Sequence, residues 1–256
     1  MKSTLKKIAL ITGASRGLGK DMAIKLAQRG NDIIITYNTK EADAQEVVAA
    51  IQKSGHKAAA LQLNTADVTS FHDFSTTLQK TLKEKFESER FDFLVNNAGF
   101  GTSIPSFEAT TVNQFDELLN VHFKGVFFLT QKLLPLVNNG GSIVNLSTGL
   151  TRFTFAGSGA YACMKSAIET LTLYLAKELG SRYIRANVVA PGAIATDFND
   201  GIFRQNVQIR EYIQSITALG RTGHADDIGG VVAFLCSEDS KWVTAQRIEA
   251  SGGMYL

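Results

Sequence analysis

A tyrosine and a lysine stand four positions apart at Tyr161 and Lys165, within the stretch YACMK. Residues i and i+4 share one face of a helix, so both side chains can face the same pocket. A free phenol has a pKa of about 10 and transfers protons poorly at neutral pH unless its surroundings tune it. A neighbouring ammonium stabilises the phenolate and lowers that pKa. The spacing therefore predicts an acid–base pair in which Tyr161 moves the proton and Lys165 tunes it.

Glycines cluster in a second candidate site, the stretch TGASRGLG at residues 12–19. Gly13, Gly17 and Gly19 follow an apolar run and precede a helical pattern. Glycines permit a tight turn and let backbone N–H groups approach a phosphate, and the helix N-terminus adds the positive end of its dipole. The spacing is GxxxGxG rather than the GxGxxG of the commonest dinucleotide loop. This stretch predicts a site for the pyrophosphate of a dinucleotide.

Short apolar runs alternate with longer segments of helical periodicity along the chain. Strands that are apolar throughout belong to parallel sheets with helices on both faces. We therefore expect an α/β fold, a single doubly wound domain over residues 1–256 with about seven parallel strands. The predicted strands are 7–12, 32–37, 58–63, 91–97, 142–147, 184–190 and 245–250. The predicted helices are 18–30, 41–55, 70–88, 111–137, 158–180 and 225–237.

Composition narrows the classes of function open to this chain. Its 256 residues are 45% hydrophobic and 20% charged, which suits a globular protein, and the formal charge of +2 predicts no nucleic-acid surface. Cys163 and Cys236 show no metal-ligand spacing, so we expect neither a metal site nor a disulfide framework. No apolar run approaches the ~18 residues of a membrane span, and the basic N-terminus lacks the apolar core of a signal peptide. We expect a cytoplasmic protein that binds no membrane.

Four motifs occur in order along the chain: TGASRGLG (12–19), NNAG (96–99), YxxxK (161–165) and PGAIATD (191–197). Because of these four motifs, the sequence resembles the short-chain dehydrogenase/reductase family over essentially its whole length. The resemblance implies a Rossmann-like domain that transfers a hydride between a nicotinamide and a carbonyl or alcohol substrate. It implies a ketone reductase, with 3-oxoacyl thioesters among the candidate substrates, and the tyrosine as general acid/base. The alternative is a non-catalytic cofactor-binding regulator or scaffold on the same fold, which the presence of both tyrosine and lysine disfavours.

The resemblance extends to the other members of the catalytic group. It implies that Lys165 also bonds the nicotinamide ribose. The family usually carries a serine thirteen positions before the tyrosine, where this chain has Thr148. Because neighbours on a strand point to opposite faces, Thr148 faces the substrate if the register is kept, and Ser147 is the alternative.

A relay residue is implied by the resemblance as well. Asn120 resembles the helix asparagine that, in the family, holds a water linked to the lysine, and it would help to reprotonate Tyr161. His122 lies two positions further on, and residues i and i+2 do not share a helix face, so we expect no acid–base role for it. We interpret Cys163 as a small filler, because no base is paired with it.

The end of the second predicted strand indicates which nicotinamide cofactor binds. A site for NAD usually carries a carboxylate there, bonded to the ribose hydroxyls. Here the stretch is TYNTK (36–40), with no carboxylate before Glu41. Arg16 resembles the basic residue with which family members bind the 2′-phosphate, and Asn38 and Thr39 can donate hydrogen bonds to that group. We expect NADP(H) to be preferred, with NAD(H) possible.

Further cofactor contacts are implied by the resemblance alone. After the third strand, Asn64 is expected at the adenine with Thr65 beside it, and Asp67 is the alternative to Asn64. The remaining contacts lie in the motifs and are Ser15, Leu18, Asn96, Ala98, Gly99, Pro191, Gly192, Ile194 and Thr196.

The substrate side is predicted from the segment after the last motif. Residues 198–221 contain an amphipathic helical pattern, and we expect them to form a lid over the substrate. Five phenylalanines in loops near the expected site indicate an apolar or aromatic pocket, namely Phe100, Phe153, Phe155, Phe198 and Phe203. The resemblance also implies a homo-oligomer, either a tetramer or a dimer, built on the helices at 111–137 and 158–180 and on the C-terminal strand.

Overall fold

The computed structural model describes residues 6–101 and 104–256. Residues 1–5, where the basic N-terminal stretch begins, lie outside the described residues. Within the described ranges, seven strands form one parallel sheet. They are β1 (Ile8–Ile11), β2 (Asp32–Tyr37), β3 (Ala58–Gln62), β4 (Phe91–Asn96), β5 (Val137–Leu146), β6 (Arg185–Pro191) and β7 (Arg247–Ala250). The prediction of an α/β fold with about seven parallel strands is confirmed.

Helices connect the strands and cover both faces of the sheet. They are α1 (Gly17–Gln28), α2 (Glu41–Lys53), α3 (Phe71–Phe86), α4 (Val112–Leu119), α5 (Gly125–Leu133), α6 (Gly159–Leu179), α7 (Ile202–Gln205), α8 (Val207–Ser215) and α9 (Asp226–Leu235). Successive side chains of a strand point to opposite faces. In β2, Ile33 and Ile35 therefore join a cluster with α1, α2 and α9, whereas Ile34 joins a cluster with α3, α5 and α6. The strands are apolar throughout because both of their faces are covered.

The strand order reverses in the middle of the sheet. The order is β3-β2-β1-β4-β5-β6-β7, so the connections run in opposite directions on the two sides of the β1–β4 boundary. Such a reversal leaves a crevice at the carboxyl ends of the strands. The loops after β1 and β4 are joined there, because the backbone N–H of Asn97 donates to the hydroxyl of Thr12 (3.0 Å) and its amide donates to the Thr12 carbonyl oxygen (2.8 Å). The fold thus places the site at this edge.

The prediction of one helix over 111–137 is wrong, because the α-helix is interrupted. A π-helical turn at Asn120–Lys124 separates α4 from α5. Gly125 follows the turn and lies against the loop after β3, where a Cβ would come within 2.1 Å of the carbonyl oxygen of Thr65. A π turn closes i to i+5, so it changes which side chains share a face, and such turns are frequent at functional sites. The i to i+4 spacing rule of an α-helix therefore does not apply at residues 120–124.

The same prediction is wrong at its C-terminal end. Pro135 lies in a 3₁₀ turn after α5, and β5 begins at Val137 rather than at residue 142. The stretch NNGG reads as a turn in the sequence, but it forms an irregular part of the strand. Gly140 supplies the positive φ (77°) of this irregularity, and the pairing of β4 with β5 shifts register there.

A chain of hydrogen bonds crosses the interior between β4, β5 and α6. The amide of Asn96 donates to Oδ1 of Asn145 (2.8 Å) and to the hydroxyl of Thr130 (3.0 Å). The amide of Asn145 donates in turn to the hydroxyl of Thr172 (2.8 Å), which donates to the carbonyl oxygen of Ile168 (2.8 Å). All four polar side chains are buried, so each bond replaces hydration that folding removes. The chain fixes α6 against the sheet.

We expect Thr172→Val to lower the free energy of unfolding by about 1–3 kcal/mol. Valine keeps the shape of the side chain but leaves the buried amide of Asn145 without its acceptor. Urea unfolding measures the change. Thr172→Ser keeps the hydroxyl and is the control, for which we expect a smaller loss. Equal losses in the two variants would contradict a role for this hydrogen bond.

Candidate active site

A cavity of about 700 Å³ opens at the carboxyl edge of the sheet. The glycine loop, the loop after β4, helix α6 and the segment after β6 form its walls. The predicted residues that line it are Gly13, Arg16, Gly17, Leu18, Gly19, Gly99, Thr148, Tyr161, Lys165, Pro191, Gly192, Ile194 and Thr196. The structure thus brings the four sequence motifs to one cavity.

Several predicted residues lie outside the wall of this cavity. Asn38 and Thr39 are exposed after the end of β2. Asn96 is buried in the chain of hydrogen bonds described above, where its amide donates to Asn145 and Thr130. The others outside the wall are Ser15, Asn64, Thr65, Ala98 and Asn120. The candidates for the adenine end therefore lie along the open edge beside β2 and β3.

Asn64 and Asp67, the two candidates for the adenine contact, both bond their own loop. Oδ1 of Asn64 accepts a hydrogen bond from the N–H of Ala66 (3.0 Å). Asp67 accepts from the N–H (3.0 Å) and the hydroxyl (2.6 Å) of Thr69, and so caps the turn before α3. These hydrogen bonds lower the pKa of the Asp67 carboxyl. Asp67 therefore has a structural role of its own.

The glycine loop has the shape of a phosphate cradle. Gly13 has a φ of 64°, and a Cβ on it would lie 2.8 Å from Cα of Ala98. A Cβ on Gly19 would lie 2.6 Å from the carbonyl oxygen of Gly13. Among the described residues, no side chain caps the start of α1 at Arg16, so the first N–H groups of the helix remain available to an anion. The loop therefore fits the pyrophosphate of a dinucleotide.

Lys165 is a buried cation in the cavity wall. It is 5% exposed, and Nζ donates a hydrogen bond to the carbonyl oxygen of Leu146 at 2.8 Å. Nζ lies 5.8 Å from the centroid of the Tyr161 ring. Burial lowers the pKa of Lys165 to about 8. Lys165 can therefore exchange a proton close to neutral pH.

Tyr161 keeps its proton in this cavity. Burial raises the pKa of the phenol, and a hydrogen bond with the Thr148 side chain lowers it by less. The pKa is raised rather than lowered as expected, because the loss of solvent dominates. A neutral phenol is a proton donor, which suits the addition of a hydride to a carbonyl group.

The neighbours Ser147 and Thr148 have different partners, as the alternation of a strand requires. The hydroxyl of Ser147 donates to Glu169 at 2.6 Å. The hydroxyl of Thr148 lowers the pKa of the Tyr161 phenol and accepts a hydrogen bond from the N–H of Leu150 at 3.3 Å. Thr148, rather than Ser147, therefore presents its hydroxyl to the tyrosine.

An ionic network holds the turn that carries Thr148. Arg247 of β7 donates to Glu169 (2.8 Å) and to the carbonyl oxygen of Thr148 (3.2 Å). Glu169 also accepts from the hydroxyls of Ser147 (2.6 Å) and Thr151 (2.8 Å). Sequence reasoning missed both charged residues. Glu169 could have been found in the sequence, because it stands four positions after the lysine and so shares its face of α6. No local pattern distinguishes Arg247.

His122, for which we expect no acid–base role, also lies at the site. It is fully buried, lines the cavity, and has its ring centroid 5.0 Å from that of Tyr161 at an interplanar angle of 88°. Residues i and i+2 lie on opposite sides of a π turn as they do in an α-helix, so only one of Asn120 and His122 can face the cavity. The turn places His122, rather than Asn120, at the cavity wall.

Aromatic side chains form the rest of the cavity wall. The five phenylalanines predicted near the site all line it, together with Tyr212 of α8 and Met254. The hydroxyls of Tyr212 and Tyr255 are 2.7 Å apart, and the Tyr255 ring lies 5.1 Å from the ring of Phe153. Helix α8 and the last residues of the chain therefore enclose the substrate side.

Residues 6–101 and 104–256 also bear on other classes of site. No helix in these ranges is both long and apolar enough to cross a membrane. These ranges also contain no group of three or more potential metal ligands. Cys163 is exposed and Cys236 is buried, and both are free thiols.

Known proteins are similar to this sequence over nearly its whole length. The family model described as enoyl-(acyl carrier protein) reductase matches residues 13–255. The chain is 36% identical over 258 residues to the 3-oxoacyl-[acyl-carrier-protein] reductase FabG of Staphylococcus aureus, with 100% of each chain covered. It is 35% identical over 263 residues to the hydroxynaphthalene reductase-like protein Arp2 of Metarhizium majus, covering 98% of this chain and 96% of the relative.

Solved structures are similar as well. The angucycline C-6 ketoreductase LanV with bound NADP has a TM-score of 0.92 at 36% identity, covering 98% of this chain and 96% of LanV. A structure of LanV with NADP and rabelomycin has a TM-score of 0.88 at 34% identity, covering 97% and 96%. This chain belongs to the short-chain dehydrogenase/reductase family and is an NAD(P)-dependent oxidoreductase. The predictions of family and enzyme class are confirmed.

We expect Lys165→Met to raise the free energy of unfolding at neutral pH by about 1–3 kcal/mol, because it removes a buried ammonium. The pKa of Lys165 is about 8 in the folded protein against an ordinary value of 10.5. Between pH 8 and pH 10.5 the unfolded chain holds a proton on Lys165 that the folded protein has lost. The free energy of unfolding of the wild type therefore rises with pH, and the difference from the variant becomes smaller.

Urea unfolding of both proteins at pH 7 and pH 10 measures this difference. The advantage of Lys165→Met should shrink at the higher pH. A variant that is less stable than the wild type at pH 7 would show that burial of this charge carries no net cost.

Proposed function

We propose that this chain is an NADPH-dependent reductase of aromatic ketones. The proposal rests on one cavity in which a neutral phenol, a buried ammonium and a hydroxyl stand beside a phosphate-binding loop. Tyr161 is the proton donor, Thr148 binds the substrate oxygen, and Lys165 stabilises the ionised tyrosine. The alternative, a cofactor-binding regulator or scaffold, has no need of this catalytic group.

The catalytic side chains divide the reaction between them. A bound nicotinamide supplies the hydride to the carbonyl carbon. The carbonyl oxygen then gains the electron pair of the broken π bond, and Tyr161 gives it a proton. The Thr148 hydroxyl stabilises the charge that develops on this oxygen. The Lys165 ammonium stabilises the phenolate that remains on the tyrosine.

The preference for NADPH is proposed from the charges around the ribose site. Arg16 is exposed at the start of α1 and lines the cavity, and no carboxylate stands between β2 and Glu41. Asn38 and Thr39 lie in that gap as hydrogen-bond donors for a 2′-phosphate. LanV, which is 36% identical, binds NADP. The other cofactor contacts implied by the family resemblance stay predictions.

A flat aromatic substrate is proposed from the lining of the cavity. A volume of about 700 Å³ accommodates a polycyclic molecule. Aromatic rings stack or meet edge to face at centroid distances of about 4.5–7 Å, and a fused-ring ketone can make such contacts with the phenylalanine wall. One LanV structure holds rabelomycin, and Arp2 is named for hydroxynaphthalene reduction. A 3-oxoacyl thioester, the substrate in the name of FabG, is the second candidate.

The segment 198–221 is proposed as the lid of a one-domain enzyme. Five of its residues line the cavity, namely Phe198, Phe203, Ile209, Tyr212 and Ile213. The end of this segment also pairs with the C-terminal part of the chain, because Thr217 forms an antiparallel bridge with Met254. The one-domain organisation is supported by the single sheet to which all seven described strands belong.

A homo-oligomer is proposed from exposed apolar side chains. Phe128 of α5 is 42% exposed, Leu173 and Tyr174 of α6 are 53% and 63% exposed, and Trp242 before β7 is 96% exposed. Groups of large exposed apolar residues mark interaction surfaces. We propose a dimer or tetramer that covers these helices and the β7 edge. A cytoplasmic location is proposed on the sequence alone.

The wild-type protein should oxidise NADPH in the presence of a bicyclic aromatic ketone such as 2-tetralone, and more slowly with cyclohexanone or an acetoacetyl thioester. Tyr161→Phe should lower kcat by about 10²–10⁴-fold, because the ring remains and the proton donor is lost. NADPH absorbance measures turnover, and fluorescence titration should give an unchanged Kd. A protein that binds NADPH but reduces no ketone of the panel would favour the regulator alternative.

Arg16→Ala should weaken NADPH binding by about 10- to 100-fold and leave NADH binding nearly unchanged, because only NADPH carries the 2′-phosphate that the guanidinium pairs with. Fluorescence titration with both cofactors measures the two Kd values. Lys20→Ala, which changes an exposed cation on the same helix, is the control. Equal losses for NADPH and NADH would remove Arg16 from the phosphate site.

A further inference from the structure

His122 fills the cavity wall between the loop after β4 and helix α6. Its ring centroid lies 5.1 Å from that of Phe100 and 5.0 Å from that of Tyr161. Gly99 packs against one edge of the imidazole, where a Cβ would come within 2.8 Å of Cε1 and 3.2 Å of Nδ1. The two aromatic rings and the glycine backbone therefore fix the orientation of this imidazole.

One hydrogen bond decides which ring nitrogen of His122 carries the proton. Nε2 lies 3.0 Å from the carbonyl oxygen of Phe100, and a carbonyl oxygen can only accept. Nε2 therefore holds the proton, and Nδ1 presents a lone pair. Within the described residues no donor reaches Nδ1, although the atom is buried. A buried acceptor without a partner destabilises the fold, and at a site it marks a catalytic role or an ordered water.

The imidazole is neutral next to the buried ammonium. Burial lowers the pKa of His122 well below its usual value, and the charge of Lys165 lowers it further. The rings of Phe100 and Tyr161, which pack against it, are uncharged at neutral pH. A neutral ring with a free lone pair can accept a hydrogen bond, but it cannot carry the positive charge of an additional proton.

We propose that His122 is a positioning residue of the proton path, in which Nδ1 accepts a hydrogen bond from a water that supplies protons to Lys165 and, through it, to Tyr161. The inference rests on the proposed reductase function, because turnover is what consumes protons at this pair. It gives His122 the task that the family resemblance gives Asn120, whose side chain does not line the cavity.

The protons balance over one turnover. The substrate oxygen takes the proton of Tyr161, and the resulting phenolate takes a proton from the Lys165 ammonium. The lysine amine takes a proton from the water at Nδ1, and bulk solvent restores that water. A pKa of about 8 lets the lysine give and take a proton near neutral pH. His122 holds the water in place and is not itself protonated.

Two substitutions distinguish the role of His122 as a hydrogen-bond acceptor from the role of its ring in packing. His122→Phe keeps a ring and removes both nitrogens, whereas His122→Asn removes the ring and places an amide oxygen near the position of Nδ1. We expect His122→Phe to lower kcat with the aromatic ketone by about 10- to 100-fold, at unchanged KM and unchanged NADPH Kd. We expect His122→Asn to retain kcat within about threefold.

The solvent deuterium isotope effect on kcat is the second readout. When proton supply limits turnover this effect rises, whereas a general loss of packing does not raise it. We expect a larger effect in His122→Phe than in the wild type and an unchanged effect in His122→Asn. Thermal unfolding and NADPH titration show whether each variant is folded. Lys124→Ala, which changes an exposed residue of the same π turn, is the matched control and should behave as the wild type.

A His122→Phe variant with wild-type kcat and isotope effect would overturn the proposal. A loss of kcat in His122→Asn as large as that in His122→Phe would also overturn it, because the ring contact with Tyr161 would then be what matters. If His122→Phe does not fold, retained kcat and an unchanged isotope effect in His122→Asn support the proposal, and a raised effect overturns it. Failure of the wild type to reduce any ketone overturns the proposed function, and the inference with it.

Discussion

The buried ammonium of Lys165 is the interaction on which the rest of the site depends. A charge taken out of water is costly unless polar groups compensate it, and here the carbonyl oxygen of Leu146 does so at 2.8 Å. That single bond ties α6 to the end of β5, the strand that leads directly into Thr148. It also places the ammonium over the Tyr161 ring. The same contact therefore sets the position and the protonation of the acid–base group.

Other parts of the molecule hold this arrangement from a distance. The chain of amides and hydroxyls from Asn96 to Thr172 fixes α6 to β4 and β5 from within the core. On the other side of the site, Arg247 of β7 bonds both Glu169 of α6 and the backbone of Thr148. The hydrogen bonds of these networks restrict the site to one geometry, although Oδ1 of Asn96 is buried without a partner within the described residues. The last strand of the chain thereby supports the proposed active site without lining the cavity.

Much of the fold and part of the site could be predicted from the sequence. Strand β2 has the predicted bounds, because an apolar run between polar flanks is a local signal. The helix at 111–137 was wrong because its interruption depends on a distant contact, the approach of Gly125 to Thr65. Whether His122 or Asn120 lines the cavity depends on how the helix is rotated against the site, which no spacing rule states. Arg247 reaches the site through tertiary packing alone, and no spacing could reveal it.

The sequence by itself determined the order of strands and helices, the glycine loop and the spacing of Tyr161 and Lys165, because periodicity and backbone freedom are short-range properties. Only the tertiary structure decided which hydroxyl meets the tyrosine, which residue of the π turn faces the cavity, and how the acid–base group is protonated. The phenol keeps its proton and the lysine pKa falls to about 8 because both groups lose solvent on folding. Burial is a property of the packed chain, so a motif specifies which residues meet and the fold sets their chemistry.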